Sequence, residues 1–174
     1  MLLLLLLLVP ATGIFIVYAN FTFSPFFSTI KGLRFTGITT GVLNLFISLA
    51  VFIFFDFSSN QLQFVQEYHK ISFFDFYLGV DGLSIYFILL TTIVTPISLL
   101  SNWRSIVENI KSFVIVILLL ETLLLAVFLV LDLLLFYVFF ESLASVLLLL
   151  FLGILARSLI LRWGLKHIFF RFFF

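Results

Sequence analysis

Five stretches of this chain run for about twenty residues on apolar side chains almost alone, and that pattern restricts what it can fold into. An α-helix rises about 1.5 Å per residue, so roughly 20 apolar residues match the hydrocarbon core of a bilayer. The stretches lie near residues 2–19, 35–55, 83–100, 112–131 and 133–156. The last two abut at Asp132. Together they are too long for one span, and they suit a helical hairpin with a tight turn at that aspartate. Only 10% of the 174 residues are charged, against roughly 25% in ordinary domains, so a soluble fold could not cover its surface. Disordered chains are charge-rich and hydrophobe-poor, the reverse of this composition. The expected fold is therefore an all-α, polytopic transmembrane helix bundle of about five spans over residues 1–156, set in a lipid bilayer, with a basic and aromatic tail at 157–174.

Five spans put alternate connectors on the same side. Lys31 and Arg34 fall in the first connector, Arg104 and Lys111 in the third, and Arg157, Arg162, Lys166 and Arg171 in the tail. The opposite side holds Lys70 alone. Basic connectors stay inside, so the N-terminus is expected outside and the C-terminus inside. No Lys or Arg precedes the first run and no small-residue cleavage pattern is evident near residue 20, so that run is expected to be a retained helix rather than a signal peptide. Pro10 would kink it. In the long second connector, residues 61–66 alternate polar and apolar, which allows a short extended piece.

Several chemistries are excluded. With no Cys, the chain has no disulfide, thiolate metal site, iron–sulfur cluster or thiol nucleophile. His69 and His167 both fall outside the apolar runs, which disfavours haem ligation inside a bundle, and no metal site is expected. A net charge of +1 gives no nucleic-acid signal. No phosphate-binding glycine loop, nucleophile elbow or zinc-protease motif occurs. Enzymatic activity is thus expected of a larger assembly and not of the isolated chain.

Against this background the acids inside spans stand out. Glu121 lies in the middle of the fourth run and Glu141 within the fifth, at similar depth once the two are folded back at Asp132. Each costs roughly 2.5–3.5 kcal/mol on insertion scales. One reading is a proton or ion pathway, because desolvation penalises a charged carboxyl and lets such groups load and release protons. The other is a neutral acid hydrogen-bonded to a neighbouring helix as packing glue. Glu141 has Tyr137 at i−4 and Ser145 at i+4 on its own face, whereas Glu121 has Ile117 and Leu125 there and must find its partner elsewhere. Ser84, Thr91, Thr95 and Ser98 form a hydroxyl stripe on the third span, which suits helix packing or a water-lined path. Pro96 would kink that span and free a backbone carbonyl. Asp81, between Gly79 and Gly82 at the start of the span, suits a helix cap, and Asp132 lies on the same side. Gly37 and Gly41 form a G-x-x-x-G packing signal.

Residues 73–92, FFDFYLGVDGLSIYFILLTT, and 121–142, ETLLLAVFLVLDLLLFYVFFES, resemble subunit 4 of mitochondrial NADH:ubiquinone oxidoreductase, respiratory complex I. The resemblance extends over about residues 54–142. It implies an antiporter-like subunit of the membrane arm in the mitochondrial inner membrane. Such a subunit contributes to proton translocation driven by electron transfer from NADH to ubiquinone. It would bind no cofactor itself, since NADH, FMN, iron–sulfur clusters and ubiquinone belong to other subunits. Its partners would be the other membrane-arm subunits. The family's fifth-helix glutamate falls on Glu141 and its fourth-helix acid on Glu121. The family usually has Pro shortly after its Glu-Ser, and Ser142 is followed here by a run without Pro. The family's lysines lie on later helices, so the chain is expected to be the N-terminal part of such a subunit, from a split, truncated or frame-shifted gene with a divergent tail, and pumping would require the remaining helices on another chain. The alternatives are a monovalent cation/proton antiporter subunit and a truncated membrane protein that does not pump.

Overall fold

A computed structural model describes residues 2–23, 30–58, 61–71, 74–103 and 110–163. The elements are α1 (Leu2–Phe23), α2 (Ile30–Phe54), β1 (Gln63–Ile71), β2 (Phe74–Val80), α3 (Ser84–Ser101), α4 (Ile110–Leu129) and α5 (Leu133–Trp163). The all-α helix bundle is as expected. Helices α1 to α4 are long and apolar enough to cross a membrane, and α5 opens on a shorter apolar run, Leu133–Leu148. The outward faces of these helices present Phe35, Phe46, Ile53 and Leu133 to the surroundings, as suits a multi-pass membrane protein whose solvent is lipid. Helix α5 continues through residues 157–163. Arg104 and residues 164–174, with Lys166, His167 and Arg171, lie outside the described residues, as do the side chains of His69 and Lys70.

The connectors sort to two ends as span alternation requires. The Lys111 ammonium lies 5.1 Å over the Tyr18 ring and 3.4 Å from the Tyr18 carbonyl, and the Arg34 guanidinium lies 5.4 Å over Trp103. The first and third connectors therefore share one end, the basic one. At the other end β1 and β2 form an antiparallel hairpin, with Gln63 opposite Val80 and Ile71 opposite Phe74. The extended structure goes well beyond residues 61–66, and its second strand has a period of two. Its Leu78 and Val80, two positions apart, are both buried. Strand β2 is pinned to the α4–α5 turn, where Leu78 pairs with Val130 and the Leu131 N–H donates to the Tyr77 carbonyl at 3.0 Å.

Two apolar clusters seal the bundle ends. Leu3, Leu6, Leu78, Ile85, Leu125 and Leu129 pack together at the hairpin end, and Val17, Leu33, Leu99, Val114 and Leu118 at the basic end. Small residues set the helix spacing. A Cβ on Gly37 would lie 2.8 Å from Val114 Cγ1, and one on Gly13 would lie 2.8 Å from Thr40 Cγ2, so α2 approaches α4 and α1 as closely as backbone permits. Gly41 faces Pro96 at ordinary contact distance.

The two aspartates at helix starts differ. Asp132 caps α5: its Oδ1 accepts from the Leu134 N–H at 3.3 Å and its carbonyl from the Phe136 N–H at 2.9 Å. Asp132→Ala is expected to cost about 1 kcal/mol, read as a lower thermal midpoint of the chain in micelles. Asp81 is not the capping residue its flanking glycines suggest. The cap position of α3 is Leu83, which has no side-chain cap bond. The Asp81 carboxylate accepts from the adjacent Gly82 N–H at 2.7 Å, and its main chain serves the helix through the Ile85 N–H at 3.1 Å.

Candidate functional site

Between the two apolar clusters lies a polar layer built by three helices. On α2, Thr36, Thr40, Asn44 and Ser48 recur every four residues, which stacks them on one face at about 6 Å intervals. All four are buried. Helix α3 brings buried Thr91, Thr92 and Thr95 to the same layer, and α4 brings Glu121, which has no exposed surface. The Asn44 amide donates from Nδ2 to Glu121 Oε1 at 2.7 Å, and the Ser48 and Thr92 hydroxyls meet at 2.7 Å. The Thr95 hydroxyl stands beside the Glu121 carboxyl. Glu121 thus finds on α2 the partner its own helix lacks.

Proline shapes the α3 wall. Pro96 has no N–H to give the Thr92 carbonyl, so one helical bond is missing there. The Thr95 hydroxyl reaches that carbonyl at a long 3.4 Å. The Thr91 hydroxyl is turned to its own helix, 2.8 Å from the Ile88 carbonyl. After these bonds, Asn44 Oδ1 and Glu121 Oε2 remain buried with no hydrogen-bond partner among the described residues.

Glu141 has a different setting. Glu121 lies eight residues before the end of α4 and Glu141 eight residues after the start of α5, so both are about 12 Å from the same turn. Depth is shared but direction is not. Glu141 is exposed on the outer face of α5 together with Tyr137 and Ser145, and the Ser145 hydroxyl donates to the Ser142 carbonyl at 2.7 Å. Glu141 has no hydrogen-bond partner among the described residues, and the fold does not bring the two glutamates together. Asp81 and Asp132 stand at the hairpin end, away from both.

Sequence reasoning missed Asn44 and Ser48. The signal was available: four small polar residues at a strict spacing of four inside an otherwise apolar run. What the layer can do is hold one acid out of water, orient it through an amide and offer hydroxyls around it.

No protein-family model matches the chain. Curated proteins do. An uncharacterized 50.9 kDa protein in ND4 intron 1 of Podospora anserina is 67% identical over 103 residues, 59% of this chain and 23% of that protein. NADH-ubiquinone oxidoreductase chain 4 of Mycosarcoma maydis is 52% identical over 103 residues, 59% of this chain and 21% of that one. NADH-quinone oxidoreductase subunit M of Rhodobacter capsulatus is 37% identical over 112 residues, 64% of this chain and 22% of its own length. The chain therefore spans under a quarter of the length of these relatives. Over the matched residues the chain is similar to NADH-ubiquinone oxidoreductase chain 4.

Proposed function

We propose that the chain is a membrane-arm subunit of respiratory NADH:ubiquinone oxidoreductase in the mitochondrial inner membrane, and that it contributes to proton translocation coupled to electron transfer on other subunits. The observation that carries this is Glu121, wholly buried between two apolar seals and held by Asn44 from another helix. An acid so placed exchanges protons only through groups the protein supplies, here the Thr36–Ser48 face of α2 and the α3 hydroxyls. Glu141, at the same depth on the open face of α5, is the second proton-transfer group. Its partner comes from helices beyond this chain, which covers under a quarter of its relatives. NADH, FMN, iron–sulfur clusters and ubiquinone stay on the other subunits, so this chain alone catalyses nothing.

In the assembled complex, Glu141→Gln is expected to lower coupled proton pumping and NADH:quinone turnover by about 10²-fold, the usual scale of a lost acid–base group. Unchanged pumping and turnover would remove the proposal. Co-migration of the chain with the complex on native gels is the earlier test. The exposed, unpartnered Glu141 also favours a second reading, a membrane protein that does not pump, and a chain found only as a free monomer would support that instead.

A further inference from the structure

We propose that the cleft between α2, α3 and α4 at the basic end holds one anionic phospholipid. Arg34 takes its phosphate beside Asn102, and Leu99, Phe113 and Val114 take the first carbons of an acyl chain. The assignment goes beyond proton translocation and does not rest on it.

The cleft has two chemical halves. Arg34, Asn102 and Trp103 line one half and are half-buried, while Leu99 and Val114 are buried in the other, with Phe113 beside them. Position along the helices orders these halves in depth. Asn102 and Trp103 follow the last residue of α3, whereas Val114 lies four residues, about 6 Å, inside α4. Arg34 also leaves its helix four residues inside the start of α2, but its guanidinium lies 5.4 Å over the Trp103 ring. The side chain therefore reaches outwards to the helix ends, as long cationic side chains do in membranes. Polar groups stand at the mouth and apolar ones below, which is the order of groups in a lipid molecule. A free anion does not account for the apolar floor, nor a bare acyl chain for the guanidinium.

The depth fits a bilayer. Headgroup layers add roughly 5–8 Å on each side of the hydrocarbon core. Tryptophan gathers at that level, where its ring sits between water and hydrocarbon. Trp103 marks the level here, and a phosphate within reach of Arg34 would lie in the same plane. The contact with the ring holds the guanidinium by its charge and limits its motion, so less freedom is lost when an anion binds. A guanidinium also meets a phosphate with two parallel N–H donors, a geometry that an ammonium lacks.

Charge decides the headgroup class. Among the described residues, the basic end carries Lys31, Arg34 and Lys111 and no Asp or Glu. A zwitterionic headgroup brings its own cation into that field, whereas an anionic one brings only negative charge. Basic pockets between transmembrane helices on the positive side of a membrane hold anionic headgroups elsewhere.

The test is fluorescence of the full 174-residue chain in nonionic micelles, with Trp163→Phe leaving Trp103 as the one indole. Phosphatidylglycerol or phosphatidylcholine with brominated acyl chains is titrated in, since bromine quenches an indole it touches. Phosphatidylglycerol is expected to half-quench Trp103 at a mole fraction about fivefold below that of phosphatidylcholine, the scale of one interfacial cation. Arg34→Gln should bring the two lipids to the same half-point. Lys111→Gln, at the same end but set against Tyr18, should leave the preference standing. Inorganic phosphate, which separates a lipid site from a simple anion site, should not displace the brominated lipid. Equal quenching by the two lipids, a preference that survives Arg34→Gln, or displacement by inorganic phosphate would overturn the site. So would loss of the preference in Lys111→Gln, which would reduce it to the general charge of that end. Should Arg34→Gln fail to fold, native mass spectrometry of the unmodified chain from mixed micelles decides. One phosphatidylglycerol retained over phosphatidylcholine supports the site, and no preference overturns it.

Discussion

Asn44→Leu is expected to lower the stability of the folded chain by about 3 kcal/mol. The substitution removes the 2.7 Å bond to Glu121 Oε1 and leaves that buried oxygen without its amide donor. Leaving a buried acceptor without its donor costs roughly 1–3 kcal/mol in soluble proteins, and more where the acceptor is charged. Hydrogen bonds between membrane helices average only about 0.6 kcal/mol, because a helix alone in lipid finds other partners. Glu121 is placed differently, since Ile117 and Leu125 one turn away offer it nothing on α4. The larger figure should therefore apply. Asn44→Leu combined with Glu121→Leu is expected to recover most of the loss, since a well-packed apolar pair replaces a buried polar one at little cost. The coupling energy from that double-mutant cycle, measured by unfolding in mixed micelles, should exceed about 1 kcal/mol. A near-additive cycle would mean that Asn44 does not hold the carboxyl.

The second large effect is steric. Gly37→Leu should cost about 3 kcal/mol, at the upper end for overpacking. Its Cβ would fall 2.8 Å from Val114 Cγ1 and 3.6 Å from Leu99 Cδ1, and Val114 is almost wholly buried, with little room to retreat. Val114→Ala in the same chain should restore roughly half of the loss. Gly82→Ala is the control: nothing lies within 4 Å of a Cβ there, so its midpoint should barely move. If Gly37→Leu and Gly82→Ala behaved alike, α2 and α4 would not be in the close contact described.

Features that depend on local hydropathy were legible in the sequence. The apolar runs, the turn at Asp132 and the small-residue approach at Gly37 all follow from neighbours along the chain. The partner of Glu121 was not, because it lies 77 positions away on α2. Nothing local distinguishes Asn44 from the threonines around it, although the spacing of four marks the whole face. The direction of Glu141 was equally hidden. Tyr137 and Ser145 do share its face, but whether that face meets α4 or the outside depends on how α5 is rotated. Strand β2 was masked for another reason: its apolar alternation runs on into α3, so hydropathy alone does not separate the two. The cap at Asp81 failed because a main-chain bond to Ile85 replaced the side-chain bond that the residue type suggests.

The pinning of β2 to the α4–α5 turn bears on biosynthesis. A strand edge with unpaired N–H and C=O groups is a template for association with other chains. The Tyr77 carbonyl accepts from the Leu131 N–H and Leu78 pairs with Val130, two partners made after α4 has been synthesised. Until then the hairpin lacks the contact that the α4–α5 turn gives it. Arrival of the turn closes the edge, so a nascent chain interrupted before Val130 would inherit an aggregation-prone ribbon that the finished helix hairpin conceals.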